Sequence, residues 1–144
     1  METGTPSGDT AWAMSKENVD RMRQSQAAFE RGDKDAWRAL VHPNIEVVPI
    51  GDWPEGDIQG RDAVWDFFVT ADEPWEPGSY ELDEVSDGGD RIAARMRREL
   101  RGKSSGVEVE YDYWVVFTFH DGLVARAEWF EDRPEALEAA GLSA

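Results

Sequence analysis

The sequence predicts an α+β fold in which a curved, mostly antiparallel sheet wraps around helices near the N-terminus. Apolar residues recur at spacings of three and four before residue 70, which indicates amphipathic helices. β-rich runs joined by short turns follow from residue 80 onward, and consecutive runs of this kind form an antiparallel meander. Helices kept apart from such a sheet define the α+β class, and a long curled sheet needs helices in its hollow.

Three helices are predicted in the first half of the chain. Residues 1–14 are rich in Gly, Thr, Ser and Pro, and we expect a flexible leader there, followed by a single domain over 15–144. Ser15 is a suitable N-cap for the first helix, and Gly32 ends that helix. The predicted helices cover 15–31, 33–41 and 61–70.

A long hairpin, 107–132, organises the predicted sheet. Its two arms flank Asp121-Gly122, and both residues accept the positive φ that a type I′ turn needs. The first arm alternates between apolar or aromatic residues and acidic residues as far as Trp114, and beyond it both faces are apolar. Further strands are predicted at 45–50, 80–85 and 91–101. Pro134 suits the first turn of a short terminal helix.

The composition excludes several function classes. The 144 residues carry a formal net charge of −16, which repels nucleic-acid phosphates and anionic membrane surfaces. The chain has no cysteine and two histidines, so we expect neither a thiolate nucleophile nor a metal site. No apolar run approaches the roughly 20 residues of a membrane span, and no signal-peptide pattern is visible. We therefore expect a cytoplasmic protein that works without a metal or other cofactor.

Three segments extend over about Ser15 to Leu142: SKENVDRMRQSQAAFERGDKDAWRALVHPNIEVVP, GRDAVWDFF and FTFHDGLVARAEWFEDRPEALEAAGL. Together they resemble the SnoaL-like proteins of the nuclear transport factor 2-like superfamily. The resemblance implies a cystatin-like α+β cone with a pocket between helices and concave sheet, and a homodimer formed through the outer sheet face. It does not specify the activity, because this cone carries isomerases, polyketide cyclases, dehydratases, epoxide hydrolases and binding modules.

The acidic residues that enzymes of this family use are missing from the matching positions. By the resemblance, the base of the steroid isomerases corresponds to Val48, their second acid to Val115, and the acid/base aspartate of the cyclases to Trp129. Residues 97–99 (Arg-Arg-Glu) resemble the Arg-x-Asp pair of the epoxide hydrolases, but Trp129 again replaces the third member. A valine side chain cannot accept a proton, so these mechanisms are disfavoured.

If Val48, Val115 and Trp129 face the pocket, strand alternation predicts which other side chains face it too. These companions are Glu46, Tyr111, Tyr113, Phe117 and Glu131. Glu46 and Glu131 are the candidate titrating groups, because a carboxylate beside an aromatic pocket suits a general base. Tyr111 and Tyr113 are the candidate hydrogen-bond donors. The alternatives are that Glu131 faces solvent where its strand ends and that Glu46 forms an internal ion pair with an arginine of the 91–101 strand.

The sequence does not decide which way the arginines of the 91–101 strand face, and it offers several tryptophans as pocket or surface residues. The arginines of the 91–101 strand either face the pocket and favour an anionic or carbonyl ligand, or face outward. The turn before the hairpin leaves the register undecided, and the outward orientation is favoured. The residues concerned are Arg91, Arg95, Arg97 and Arg101, with Glu108, Glu110 and Asp112 as outward partners. Trp53, Trp65 and Trp129 are candidate pocket walls, with a core position on its helix face as the alternative for Trp65. Trp114 is expected to be exposed on the outer face at a dimer interface.

Two functions are compatible with this pattern. The favoured one is cofactor-independent acid/base chemistry, such as isomerisation, cyclisation or hydration, on a small hydrophobic or aromatic metabolite. The alternative is a non-catalytic ligand-binding or dimerisation module. An open cavity with a buried carboxylate and a tyrosine at one point favours the first function, and a pocket filled by its own aromatic side chains favours the second.

Overall fold

The computed structural model describes residues 8–50, 56–76 and 79–142, without the side chains of 8–15 and 79. The helices are α1 (Gly8–Glu30), α2 (Lys34–Leu40), α3 (Arg61–Asp72) and α4 (Arg133–Ala139). The strands are β1 (Val41–Val48), β2 (Ile58–Gln59), β3 (Ser79–Asp87), β4 (Arg91–Arg101), β5 (Glu108–His120) and β6 (Leu123–Phe130). This order of elements is the α+β class that the sequence predicts.

The six strands form one sheet in the order β2-β1-β6-β5-β4-β3. Strands β3 to β6 make an antiparallel meander, and β1 adds to it in parallel beside β6. The curled sheet encloses α1 to α3, whose apolar residues share one core with its inner face. The predicted curved sheet wrapped around N-terminal helices is therefore confirmed.

The β5–β6 pair is the predicted hairpin. His120 pairs with Leu123 across the turn. The two residues between them, Asp121 and Gly122, have φ values of 52° and 77°. Positive φ at both central positions is what a two-residue turn between twisted strands requires, and Asp-Gly adopts it at little cost. The turn fixes the register of a strand pair that supplies much of the inner sheet face.

Two helices begin at side-chain caps. The Asp33 carboxylate accepts a hydrogen bond from a backbone N–H of α2 at 3.1 Å, and Asp132 does the same for α4 at 3.0 Å. The prediction for α1 is wrong, because this helix begins at Gly8 and Ser15 lies inside it. Residues 1–7 of the predicted leader lie outside the described residues.

Four arginines of β4 face outward, which confirms the favoured orientation for this set: Arg91, Arg95, Arg97 and Arg101. Arg97 lies 3.2 Å from Glu110 and 3.7 Å from Asp112, and Arg101 lies 3.8 Å from Glu108. The alternate residues of the strand are buried in the inner core: Ile92, Ala94 and Met96. Exposed ion pairs of this kind stabilise a protein by at most about 1 kcal/mol each, so burial of the apolar set determines which face points inward.

Helix α4 covers part of the outer sheet face. A second buried cluster joins it to the sheet and contains Ala93, Trp114, Val116, Ala136, Leu137 and Ala140. Trp114 is 6% exposed, and the Arg133 guanidinium lies 6.0 Å from its ring centroid. Trp114 thus faces outward as predicted, but the prediction of an exposed ring at a dimer interface is wrong because α4 covers it. The homodimer itself stays a prediction.

Removal of the α4 contact should measurably destabilise the protein. Leu137→Ala leaves a cavity beneath α4, because Leu137 is 2% exposed. The expected loss in the free energy of unfolding is about 2–4 kcal/mol, measured by urea denaturation. Glu138→Ala on the exposed side of the same helix is the control and should change the value by less than about 0.5 kcal/mol. Equal stability of the two variants would contradict the packing described for α4.

Candidate functional site

A cavity of about 430 Å³ lies between helices α1 to α3 and the inner face of the sheet. Its lining comes from all three helices and from strands β1, β3, β4, β5 and β6. Two lining residues, Ala71 and Tyr111, are exposed and mark its opening. Small-molecule sites in proteins are clefts of roughly 300–1,000 Å³, so this cavity has the size of a ligand site.

Aromatic rings form a continuous wall of the cavity. The Trp129 ring lies 5.8 Å from Phe68 and 6.3 Å from Tyr113, measured between ring centroids. Phe29 continues the wall at 5.4 Å from Phe68. Large rings arranged in this way present flat apolar surface, which suits a planar hydrophobic ligand.

A polar cluster interrupts the apolar lining and consists of Asp72, Tyr80, Arg98 and Tyr113. Nη2 of Arg98 donates to Oδ1 of Asp72 at 2.8 Å and to Oη of Tyr80 at 2.5 Å. The Tyr80 hydroxyl in turn donates to Oδ2 of Asp72. The Arg98 guanidinium also lies 4.2 Å from the centroid of the Tyr80 ring.

Sheet register and the end of α3 position this cluster. Tyr80 on β3 is directly opposite Arg98 on β4, so their side chains emerge on the same face of the sheet. Tyr113 on β5 is opposite Met96, two residues before Arg98 and therefore on that same face. Asp72 is the last residue of α3 and meets Arg98 from the helical side.

Burial raises the pKa of both cluster tyrosines, which are protonated at physiological pH even at the ordinary tyrosine value. Desolvation raises the pKa of Tyr113, although hydrogen bonding to Trp129 and the charge of Arg98 oppose the shift. Desolvation and the hydrogen bond to Asp72 raise the pKa of Tyr80 well above its ordinary value of 10. Both hydroxyls are thus neutral donors at physiological pH. The cluster can donate hydrogen bonds to an oxygen of a ligand, and it contains one carboxylate.

The structure brings together five of the residues that the sequence assigns to the pocket. Tyr111, Tyr113, Val115, Phe117 and Trp129 all line the cavity. Two of them, Val115 and Trp129, are positions that the resemblance matches to acids of family enzymes. Trp65 instead packs in the core, with its ring centroid 5.3 Å from those of Phe29 and Trp37, and does not line the cavity. Trp53 lies outside the described residues.

The predicted orientation of β1 is wrong. Ile45 and Val47 line the cavity, whereas Glu46 and Val48 point to the opposite face. Glu46 lies 3.3 Å from Arg126 of β6, so it forms an ion pair outside the cavity. The sequence Ile-Glu-Val-Val has apolar residues at both parities, and a strand shifted by one residue exchanges its faces. Strand β1 also begins at residue 41, not 45.

The prediction that Glu131 lies at the pocket rim is also wrong. Strand β6 ends at Phe130, and Glu131 is exposed in the link to α4. It does not line the cavity. Alternation along a strand applies only while the strand continues, and the Asp132 cap starts the next helix immediately afterwards. The solvent-facing alternative for Glu131 is therefore the correct one.

Sequence reasoning missed three members of the polar cluster as site residues: Asp72, Tyr80 and Arg98. A signal for Arg98 was present, because it continues the alternation of the buried residues Ala94 and Met96. Asp72 follows Phe68 by four residues, which places both on one helix face. No comparable signal pointed to Tyr80, because its role depends on a long-range strand pairing.

The part of the chain that the structure describes contains neither a metal-binding cluster nor a membrane-spanning helix. Among the described residues, no group of three or more His, Asp or Glu side chains is arranged to hold a metal ion. Within residues 8–50, 56–76 and 79–142, no helix is both long and apolar enough to cross a bilayer.

The fold is shared with a family of known proteins. The family model of the SnoaL-like domain matches residues 22–127, and the chain belongs to this family. An NTF2-like protein from Burkholderia xenovorans LB400 is 30% identical, with a TM-score of 0.70 over 87% of this chain and 95% of that one. No functionally curated protein matches the chain significantly.

Two more distant structures share the fold. A putative SnoaL-like polyketide cyclase from Jannaschia sp. CCS1 is 18% identical, with a TM-score of 0.71 over 92% of each chain. TerC, co-crystallised with polyporic acid, is 21% identical, with a TM-score of 0.70 over 87% of this chain and 98% of that one. At these identities the similarity concerns the fold alone.

The raised pKa of Tyr80 predicts a loss of stability in alkali. The folded state holds the Tyr80 proton more tightly than the unfolded state, so the stability it contributes is present below pH 10 and is lost as the pH rises further. Between pH 8 and pH 11 the wild type should lose up to about 1.4 kcal/mol more unfolding free energy than Tyr80→Phe. Urea denaturation at both pH values measures this. Equal losses would show that Tyr80 ionises freely in the folded protein.

Proposed function

We propose that this protein binds a small hydrophobic or aromatic molecule in its inner cavity, with an oxygen atom of the ligand at the polar cluster. The observation that carries the proposal is the open cavity of about 430 Å³, whose aromatic wall meets Tyr113 and Arg98. A cavity filled by its own side chains would have favoured a packed assembly module. An apolar cavity with a few convergent polar groups is the usual form of a ligand site.

The polar cluster supports acid/base chemistry without a cofactor. Tyr113 and Arg98 would donate hydrogen bonds to a carbonyl oxygen of the ligand and stabilise negative charge as it develops there. Asp72, with Tyr80 bonded to it, would accept the proton removed from a neighbouring carbon atom. Isomerisation and cyclisation both begin with such a proton transfer. Asp72 thus takes the role that the sequence assigned to Glu46 or Glu131.

Relatives give this proposal independent support. TerC was co-crystallised with polyporic acid, and the Jannaschia protein bears the name of a polyketide cyclase. The same fold therefore accommodates polyporic acid in one case and is named for polyketide cyclisation in the other. Neither finding identifies the ligand of this chain, so the cavity residues carry the assignment.

A bulky residue at the opening should block ligand binding. Ala71 is exposed and lines the cavity, so Ala71→Trp fills the entrance with little effect on the core. After a thermal-shift screen of aromatic ketones, phenols and quinones, calorimetry should show binding at least about tenfold weaker in Ala71→Trp. Ala63→Trp on the exposed side of α3 is the control and should bind like the wild type. Equal affinities of both variants would place the ligand elsewhere.

Hydrogen–deuterium exchange tests the acid/base role without knowledge of the product. The methyl protons next to the carbonyl of 2-acetylnaphthalene should exchange faster in D₂O with wild-type protein than in buffer, as followed by NMR. Asp72→Asn should lower the catalysed rate about a hundredfold. Asp62→Asn, an exposed residue of the same helix, should retain the rate. Binding of the ketone without accelerated exchange would instead support the non-catalytic binding module.

A further inference from the structure

The charges in the cavity compensate each other. Among the described lining residues, Arg98 is the one basic side chain and Asp72 the one acidic side chain. The two groups lie 2.8 Å apart, and their side chains are 15% and 30% exposed. The cavity therefore contains a largely buried ion pair with no net charge.

A further carboxyl group lies near this pair. Burial raises the pKa of Glu30 at the end of α1, and a hydrogen bond from the Tyr80 backbone and the charge of Arg98 oppose this shift. The positive charge of Arg98 thus faces Asp72 directly and Glu30 at longer range. The chain as a whole has a formal net charge of −16, which makes the surrounding potential negative. No excess positive potential is left at the polar cluster for an incoming anion.

Ligand charge therefore decides how well a compound fits this site. An anionic group placed beside Arg98 would also lie beside the Asp72 carboxylate and would lose its hydration on entry. A cationic group beside Asp72 would lie beside the Arg98 guanidinium in the same way. A neutral carbonyl oxygen would accept hydrogen bonds from Arg98 and Tyr113 without a charge to desolvate.

We propose that Asp72 makes the cavity selective for uncharged ligands, specifically neutral aromatic compounds that present a carbonyl or amide oxygen. The proposal rests on the cavity being the ligand site, and it adds a ligand class and a residue that determines it. Asp72 achieves this selectivity because it neutralises Arg98, which alone would attract carboxylates.

An isosteric pair of probes tests the selectivity directly. 2-Naphthamide and 2-naphthoate have nearly the same shape and differ in charge at pH 7. Calorimetry should show that the wild type binds the amide at least about tenfold more tightly than the carboxylate. In Asp72→Asn the carboxylate should gain at least about tenfold in affinity, because Arg98 is then no longer neutralised.

Asp62→Asn is the matched control, because it removes the same charge from an exposed position of α3. The Asp62 side chain is 72% exposed and pairs with Arg38, away from the cavity. This variant should retain the wild-type preference for the amide. The wild-type comparison does not depend on any variant folding, and circular dichroism verifies the fold of both variants.

Each outcome distinguishes this inference from the proposed function. Equal or tighter binding of 2-naphthoate by the wild type would overturn the charge selectivity and leave the cavity as a ligand site. A carboxylate affinity that rises equally in Asp72→Asn and Asp62→Asn would overturn the specific role of Asp72. Failure of the wild type to bind either probe, or any compound of the screen, would overturn the proposed function and this inference with it.

Discussion

The ion pair between Arg98 and Asp72 is the interaction on which the account of this site depends. A guanidinium that enters an apolar cavity must be neutralised, because an uncompensated buried charge costs about 3–5 kcal/mol. Asp72 neutralises it at 2.8 Å, and Tyr80 completes the contact as both donor and acceptor. The end of α3 and the meander of β3 to β5 are thereby joined at one point.

The cavity depends on the different residues that the two faces of the sheet carry. Exposed ion pairs of Arg97 and Arg101 occupy the outer side of β4, and α4 covers Trp114 beside them. The inner face carries apolar residues and aromatic rings, which do not fill the hollow between the sheet and the helices completely. A ligand-sized space remains, and Arg98 is the residue that breaks the apolar alternation of its strand there.

The sequence predicted the features that depend on local pattern. The Asp121-Gly122 turn fixed the hairpin, and alternation from Tyr111 to Phe117 placed these side chains in one hollow. The predicted orientation of β1 was wrong, because apolar residues occupy both odd and even positions of this strand and do not reveal which face is buried. The predicted position of Glu131 at the pocket rim was wrong because β6 ends at Phe130, one residue earlier.

Tertiary contacts supplied the rest of the site. Asp72 comes from a helix and Tyr80 from a strand, and their meeting with Arg98 depends on long-range register. The alternation that buries Met96 extends to Arg98, so the pattern along β4 by itself indicates one member of the cluster. The burial of Trp114 could not be predicted from its strand, because it depends on where α4 packs against the sheet.

A double-mutant cycle on Arg98 and Asp72 tests the central interaction most directly. Unfolding free energies of Arg98→Gln, Asp72→Asn and the double variant should give a coupling energy of about 1.5 kcal/mol or more, because the pair is largely buried. The exposed pair of Arg38 and Asp62, whose atoms approach to 2.5 Å, provides the reference and should couple by less than about 1 kcal/mol. A coupling energy for Arg98 and Asp72 no larger than this reference would contradict the account.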